Sequence, residues 1–158
     1  MSFRVGLGQD SHRFEKISKP LVLGGVIIPK HIGLKADSDG DVIIHSLCNA
    51  LSTAIGRGSL DTWAGPMAKK GITDSKEFLK VILGRVRNNG FKINNVAIML
   101  EGKRPGLEEY RPKMQASLAK LLRVKKEDVG IAFTTGQGLT VFGKGKGIQV
   151  FSTVLLSK

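Results

Sequence analysis

One cysteine, one tryptophan and one tyrosine are all that the 158 residues hold of those types. The lone thiol, Cys48, excludes an internal disulfide framework and suits a reducing compartment. Its place in an apolar helical pattern marks it as buried and inert. Aromatics make up 6% of the chain, which leaves little surface on which bases could stack. No apolar run approaches the ~20 residues of a membrane helix. The start, Met1-Ser2-Phe3-Arg4, lacks the apolar stretch of a secretory signal. The cytoplasm is therefore the expected location, or an organelle stroma such as the plastid after loss of a transit peptide.

Acidic residues are also scarce. Thirteen Asp and Glu face twenty-five Lys and Arg, a net charge of +12. Such a field attracts polyanions, whether nucleic acid, anionic membrane or phosphorylated metabolite. The lysines are scattered, however, Lys16, Lys19, Lys30 and Lys35 among them, with no long basic block. They read as a solvated surface, and neither nucleic acid nor membrane is expected as a partner.

The length suits one domain with a proper core, and no repeat or linker divides residues 1–158. Phe3 to Gln9 reads as a strand, and Leu21 to Pro29 as a hairpin or bent strand around Gly24-Gly25. Helical periodicity runs from Asp39 to Ile55, with Val42, Ile43, Leu47 and Leu51 apolar. Residues 57–73 read as irregular, with Trp63 either lining a pocket or filling a gap. A second helix starts near Thr73-Asp74-Ser75 and closes at Asn88-Asn89-Gly90. Phe91 to Leu100 is a strand, Glu109 to Leu122 a helix, and Val129–Thr135 and Ile148–Leu156 are the last strands. The expected class is α+β, a mixed sheet with helices packed on one face.

Two of the three histidines stand beside carboxylates. In Asp10-Ser11-His12, an extended chain sends Asp10 and His12 to the same side. The run Ser38-Asp39-Gly40-Asp41-Val42-Ile43-Ile44-His45 places His45 about a turn and a half into the first helix. One carboxylate and two imidazoles with an open fourth position is the donor set of a catalytic zinc. Ser38 or Asp39 is the expected helix cap, leaving first-turn amides free for phosphate oxygens. Asp41 and Asn49, each four residues from His45, share its face. His31 has no carboxylate pattern and reads as a surface or loop residue. Further on, Thr134-Thr135-Gly136-Gln137-Gly138-Leu139-Thr140 precedes Phe142-Gly143-Lys144-Gly145-Lys146-Gly147. Hydroxyls, glycines and lysines of this kind are materials for a phosphate-binding loop or a flexible hairpin.

These segments together resemble the 2-C-methyl-D-erythritol 2,4-cyclodiphosphate synthase family. Leu23-Gly24-Gly25-Val26-x-Ile28-Pro29 and Gly71-Ile72-x-Asp74-Ser75 match further landmarks in the right order. The resemblance implies a lyase of the non-mevalonate route to isoprenoid precursors. Its members cyclise 4-diphosphocytidyl-2-C-methyl-D-erythritol 2-phosphate and release CMP. It implies zinc on Asp10, His12 and His45, and a second ion, magnesium or manganese, at the diphosphate. It implies a homotrimer with sites between subunits. The substrate would be met by Asp37, Ser38, Asp39, Gly40 and Asp61. A second set, Gly102, Pro105, Gly106, Leu107, Thr134 and Phe142, would join it, with Thr135, Gln137 and Lys144 closest to the chemistry.

Several positions depart from the family pattern. Gln137 stands where a glutamate commonly helps hold the second metal, and Asp37 where a histidine is frequent. Gly106 replaces a common lysine, and residues 58–66 replace the usual stretch that contacts the ribose. An impaired relative that binds diphosphates or isoprenoids is the alternative these changes raise.

Overall fold

The computed structural model describes residues 1–158. The strands are β1 (Phe3–Arg13), β2 (Pro20–Leu23), β3 (Val26–Ile32), β4 (Lys92–Glu101), β5 (Val129–Thr134) and β6 (Gly147–Ser157). The helices are α1 (Val42–Ala54), α2 (Asp61–Lys69), α3 (Ser75–Asn88) and α4 (Arg111–Leu122). Four strands form one sheet in the order β1-β6-β4-β5, with β4 and β5 parallel and the other pairs antiparallel. The mixed sheet of the α+β expectation is thus present. A separate hairpin joins β2 to β3.

Alternation along each strand decides which face carries the helices. On β6, Ile148, Val150, Val154 and Leu156 are buried, while Phe151 is 44% exposed. On β4, Val96, Ile98 and Leu100 are buried against 47% exposure for Met99. The buried face packs with Leu47 and Leu51 of α1, Leu79 and Ile82 of α3, and Met114 and Leu118 of α4 in one continuous core. The opposite face leaves Phe3, Val5 and Leu7 of β1 uncovered, Val5 by 72%.

Strand β1 runs four residues past the expected Gln9. Its ladder with β6 continues through Asp10↔Val150, His12↔Ile148 and Arg13↔Gly147. Its inward face carries Gly6 and Gly8, where other strands carry large apolar groups. A Cβ at Gly6 would lie 1.9 Å from the Ala50 carbonyl oxygen, and one at Gly8 2.0 Å from that of Ser46. Helix α1 therefore rests on the β1 backbone itself. Asn49 Nδ2 donates to the Gln9 carbonyl at 3.1 Å, and Thr53 Oγ1 to that of Leu7 at 2.9 Å.

Helix α1 begins later than the periodicity suggested, because Asp41 and not Ser38 or Asp39 is its cap. Asp41 is fully buried. Its Oδ1 accepts from the amides of Ile44 and Gly24, and its Oδ2 from that of Gly25 at 2.6 Å. Burial pushes its carboxyl up to about 6, against the pull of those amides. The same residue thus starts α1 and ties it to the β2–β3 turn, where Gly24 and Gly25 both have positive φ.

The stretch 57–73, read as irregular, contains α2. Gly65-Pro66 locally opposes a helix, and Pro66 lies inside it. Burial outweighs that penalty. Trp63 is 5% exposed, its Nε1 donates to the Phe78 carbonyl at 3.1 Å, and the Arg85 guanidinium lies 5.0 Å from its ring. Trp63 fills the space between α2 and α3.

Two glycine replacements should have opposite signs. Gly8→Ala forces α1 off β1 and is expected to cost about 1–3 kcal/mol. Gly84→Ala, in α3 with nothing within 4 Å of the added carbon, should stabilise by about 0.5–1 kcal/mol. Urea unfolding followed by circular dichroism measures both.

Candidate functional site

Close seating of α1 on β1 carries His45 to the end of the strand. Asp10 Oδ2 lies 2.9 Å from His12 Nε2 and 2.9 Å from His45 Nδ1, and the two nitrogens are 3.3 Å apart. A tetrahedron with bonds of 2.0–2.1 Å has edges of about 3.3 Å, so the three atoms approximate one of its faces. Imidazole pairs suit zinc better than magnesium or calcium. The donor set therefore fits a zinc ion, and Asp10, His12 and His45 are a group that could hold one.

The electrostatics are those of a poised ligand set. Burial alone would raise the Asp10 carboxyl, but hydrogen bonds and charge from His12 and His45 hold it at about 2. Burial works against a charged His12 ring, yet Asp10 prevails and pushes it above the usual histidine value. Cys48 lies in the same helix, fully buried, and burial pushes its thiol well up. It is no competing ligand.

A cleft of about 1000 Å³ opens over the cluster. Asp10, His12, Asp37, Ser38, His45 and Asp61 line it, with Lys35 and Asn49 beside them. Asn49 also accepts from the Leu60 amide at 2.8 Å, which fixes the start of α2 at the rim. Asp39 and Gly40, expected at the substrate, are not among the residues lining this cleft. The Asp39 carboxylate accepts from the Ser75 hydroxyl and, at 3.1 Å, from the Ser75 amide. Gly40 is buried at φ +76° against the Leu34 carbonyl.

Three amides around the start of α1 are already engaged. The Gly40 amide donates to Ser38 Oγ, that of Asp41 to Asp39 Oδ1, and that of Ile44 to Asp41 Oδ1. All three are satisfied within the segment. Asp41, four residues before His45, turns its carboxylate to the β2–β3 turn.

The remaining predicted residues form a second group. Glu101 opposes Thr134 across β4 and β5, the Gly102 amide donates to the Thr134 carbonyl, and that of Lys103 to Phe142. Pro105, after a cis bond, and Leu107 are buried beside exposed Gly106. Thr134 Oγ1 accepts from the Gly136 amide and Thr135 Oγ1 from that of Gln137, both at 3.3 Å. Each hydroxyl keeps its proton for an incoming oxygen. Gln137 sits at φ 48°, exposed, and Lys144 is exposed. None of this group lines the cleft of the first. Both lie at one end of the sheet, since Ser11 and Glu101 each oppose Gln149. With strands about 4.8 Å apart, β4 lies about 10 Å from β1 and β5 about 14 Å.

Two contributors escaped the sequence reading. Lys19, one of many lysines taken as solvated, donates to the carbonyls of Leu34 (3.0 Å), Ala36 (3.3 Å) and Ser38 (2.8 Å). It gathers the loop that carries Asp37 and Ser38. Ser75 is fully buried, with Oγ 2.8 Å from His45 Nε2. His31 is exposed on β3, away from the cleft.

Comparison with known proteins agrees with this geometry. The YgbB family model matches residues 3–157. The 2-C-methyl-D-erythritol 2,4-cyclodiphosphate synthase of Chlamydia trachomatis serovar L2b is 40% identical over 157 residues, covering 98% of this chain and 88% of that protein. The Chlamydia muridarum enzyme of the same name is 42% identical over 152 residues, 94% of this chain and 85% of its own. Among solved structures, the bifunctional IspDF of Campylobacter jejuni superposes with a TM-score of 0.90 at 34% identity over 98% of this chain, which spans 42% of that longer protein. A CDP-bound 2C-methyl-D-erythritol-2,4-cyclodiphosphate synthase gives 0.84 at 33% identity, covering 98% of this chain and all of that one. Sequence and fold agree along nearly the whole length, and the chain belongs to the YgbB family.

Proposed function

We propose that this chain is a 2-C-methyl-D-erythritol 2,4-cyclodiphosphate synthase of non-mevalonate isoprenoid precursor synthesis, a single such domain over residues 1–158. It cyclises 4-diphosphocytidyl-2-C-methyl-D-erythritol 2-phosphate to the 2,4-cyclodiphosphate and releases CMP. The observation that carries this reading is the convergence of Asp10, His12 and His45 at a cleft, on the fold of the named relatives. Catalytic impairment is not favoured, because relatives at 40% identity bear the synthase name.

The reaction needs positioning more than proton transfer. An oxygen of the 2-phosphate forms a bond to the β-phosphorus. The bond from that phosphorus to the oxygen bridging toward the α-phosphorus breaks, and CMP leaves with the electron pair. The nucleophile is already an anion, so no protein base is required. The obstacle is repulsion between phosphates brought into line. Asp10, His12 and His45 would hold a zinc ion, which would supply positive charge and Lewis acidity to phosphoryl oxygens. Lys35, at the cleft wall, offsets further negative charge. Thr134, Thr135 and Lys144 donate to the diphosphate, while Gly102, Pro105, Gly106, Leu107 and Phe142 shape the cytidine pocket. Asp37, Ser38 and Asp61 border the sugar and methylerythritol parts. Gln137 offers an amide oxygen, and Glu101 already accepts from Thr140. A magnesium or manganese ion would therefore be held chiefly by the diphosphate itself.

A homotrimer is part of the reading. The uncovered face bearing Phe3, Val5, Leu7, Met99 and Phe151 suits burial between subunits. Assembly of that kind would let one chain's metal cluster meet a neighbour's nucleotide loop. No helix is long and apolar enough to cross a membrane, and a cytoplasmic location follows the reading.

Phosphorus NMR of the substrate with zinc and magnesium should show CMP appearing beside the cyclic product. His45→Ala should lower kcat/KM by at least about 100-fold, and an intact rate would reject the zinc site. Protonation of His12, whose proton is held to higher pH than usual, competes with the cation. Zinc affinity should therefore fall by about tenfold per pH unit on the acid side of that titration, as calorimetry at several pH values would register. Light scattering should give about three chains, and Val5→Asp, placing a charge in the apolar face, should shift the mass toward one chain.

A further inference from the structure

We propose that Ser75, held by Asp39, is a positioning residue that keeps the His45 proton on Nε2 and so presents Nδ1 as the metal-binding lone pair. The inference rests on the zinc site proposed above, but its geometry is independent of any ion. Ser75 opens α3 and is fully buried. Its hydroxyl donates to Asp39 Oδ1, while its amide donates to Asp39 Oδ2 at 3.1 Å. Asp39 is anchored in turn, because its own amide donates to the Thr73 carbonyl at 2.8 Å and its Oδ1 accepts from the Asp41 amide.

A serine hydroxyl has a single hydrogen, and an ionised carboxylate can only accept. The hydrogen of Ser75 therefore belongs to Asp39, and its oxygen can only accept from the ring. His45 Nε2, 2.8 Å away, must be the donor. Ser38 Oγ, at 3.3 Å from the same nitrogen, is a weaker second acceptor. In the neutral ring Nδ1 is then bare, and it is the atom that faces Asp10 Oδ2 at 2.9 Å and His12 Nε2 at 3.3 Å. Two bare acceptors at that distance repel, so the arrangement favours a cation between them.

Without Ser75 the same ring has an easier state. The proton moves to Nδ1 and donates to Asp10, closing the site with an internal hydrogen bond. Ser75 and Asp39 raise the free energy of that closed state. Partners of this kind alter metal affinity by about 10–100-fold. Asp39 acts through a hydroxyl, so its charge stays clear of the cleft. That explains why its carboxylate turns from the substrate side to the start of α3.

The test compares wild type, Ser75→Ala and Asp39→Ala, the second of which removes the acceptor of the Ser75 hydrogen. Nitrogen-15 NMR of the zinc-free proteins at alkaline pH reads which ring nitrogen of His45 bears hydrogen. Wild type should show Nε2–H, and both variants should shift toward Nδ1–H. A wild-type Nδ1–H signal, or variants unchanged from an Nε2–H wild type, would overturn the proposal. Competition with a chelator should show zinc bound about 10–100-fold more weakly by Ser75→Ala, with unfolding midpoints monitored as a control. Equal affinity in the two proteins would also overturn it. If wild type binds no zinc, the metal reading fails, while the tautomer result still decides the role of Ser75.

Discussion

Two absent side chains set the distance between helix α1 and strand β1, and the site depends on that distance. At Gly6 and Gly8 even a methyl group would enter the helix backbone at Ala50 and Ser46. An ordinary strand–helix pair is kept apart by its side chains, about 10 Å between axes or layers. Here the layers touch, and the first turn of α1 reaches the continuation of β1. Asp10 and His12 emerge from the ladder two and four residues past Gly8, on the same side. His45 precedes Ser46, the residue seated on Gly8. A slip of one residue in either element would send the ligands apart.

The surroundings hold polar groups that would otherwise oppose folding. Asp41 is buried, and its carboxylate accepts three amides from two separate elements. Lys19 directs its charge to three carbonyls of the 34–38 loop. Asp39 clamps the start of α3. None of these lines the cleft, yet each holds a segment that borders it. The cleft is thus bordered by backbone whose hydrogen bonds are already made, which limits the ordering left for the ligand to impose.

Much of this was legible in the sequence, for reasons that differ by residue. Asp10 and His12 could be paired because a strand repeats every two residues, and His45 because its neighbours carry a helical period. The core stripes of α3 and α4 were plain for the same reason. Helix α2 was hidden because Gly65-Pro66 opposes it locally, and only the burial of Trp63 against Phe78 overrides that. Asp41 looked like a partner of His45 because both share a helical spacing. Its true partners, Gly24 and Gly25, are far away in sequence. Lys19 could not be told from the sixteen other lysines by composition alone. Ser75 marked a helix start but gave no sign of His45, thirty residues earlier. Resemblance supplied the nucleotide-loop residues, whose spacing alone said only that phosphate was plausible.

The central claim is that Asp10, His12 and His45 converge on one divalent cation at the cleft. X-ray absorption at the zinc edge, on protein loaded with one equivalent, tests it most directly. The account predicts a first shell of nitrogen and oxygen at about 2.0–2.1 Å with the outer scattering of two imidazoles. Replacement of either histidine should remove one of them. A shell of water oxygens alone, or a sulfur neighbour at about 2.3 Å, would contradict it.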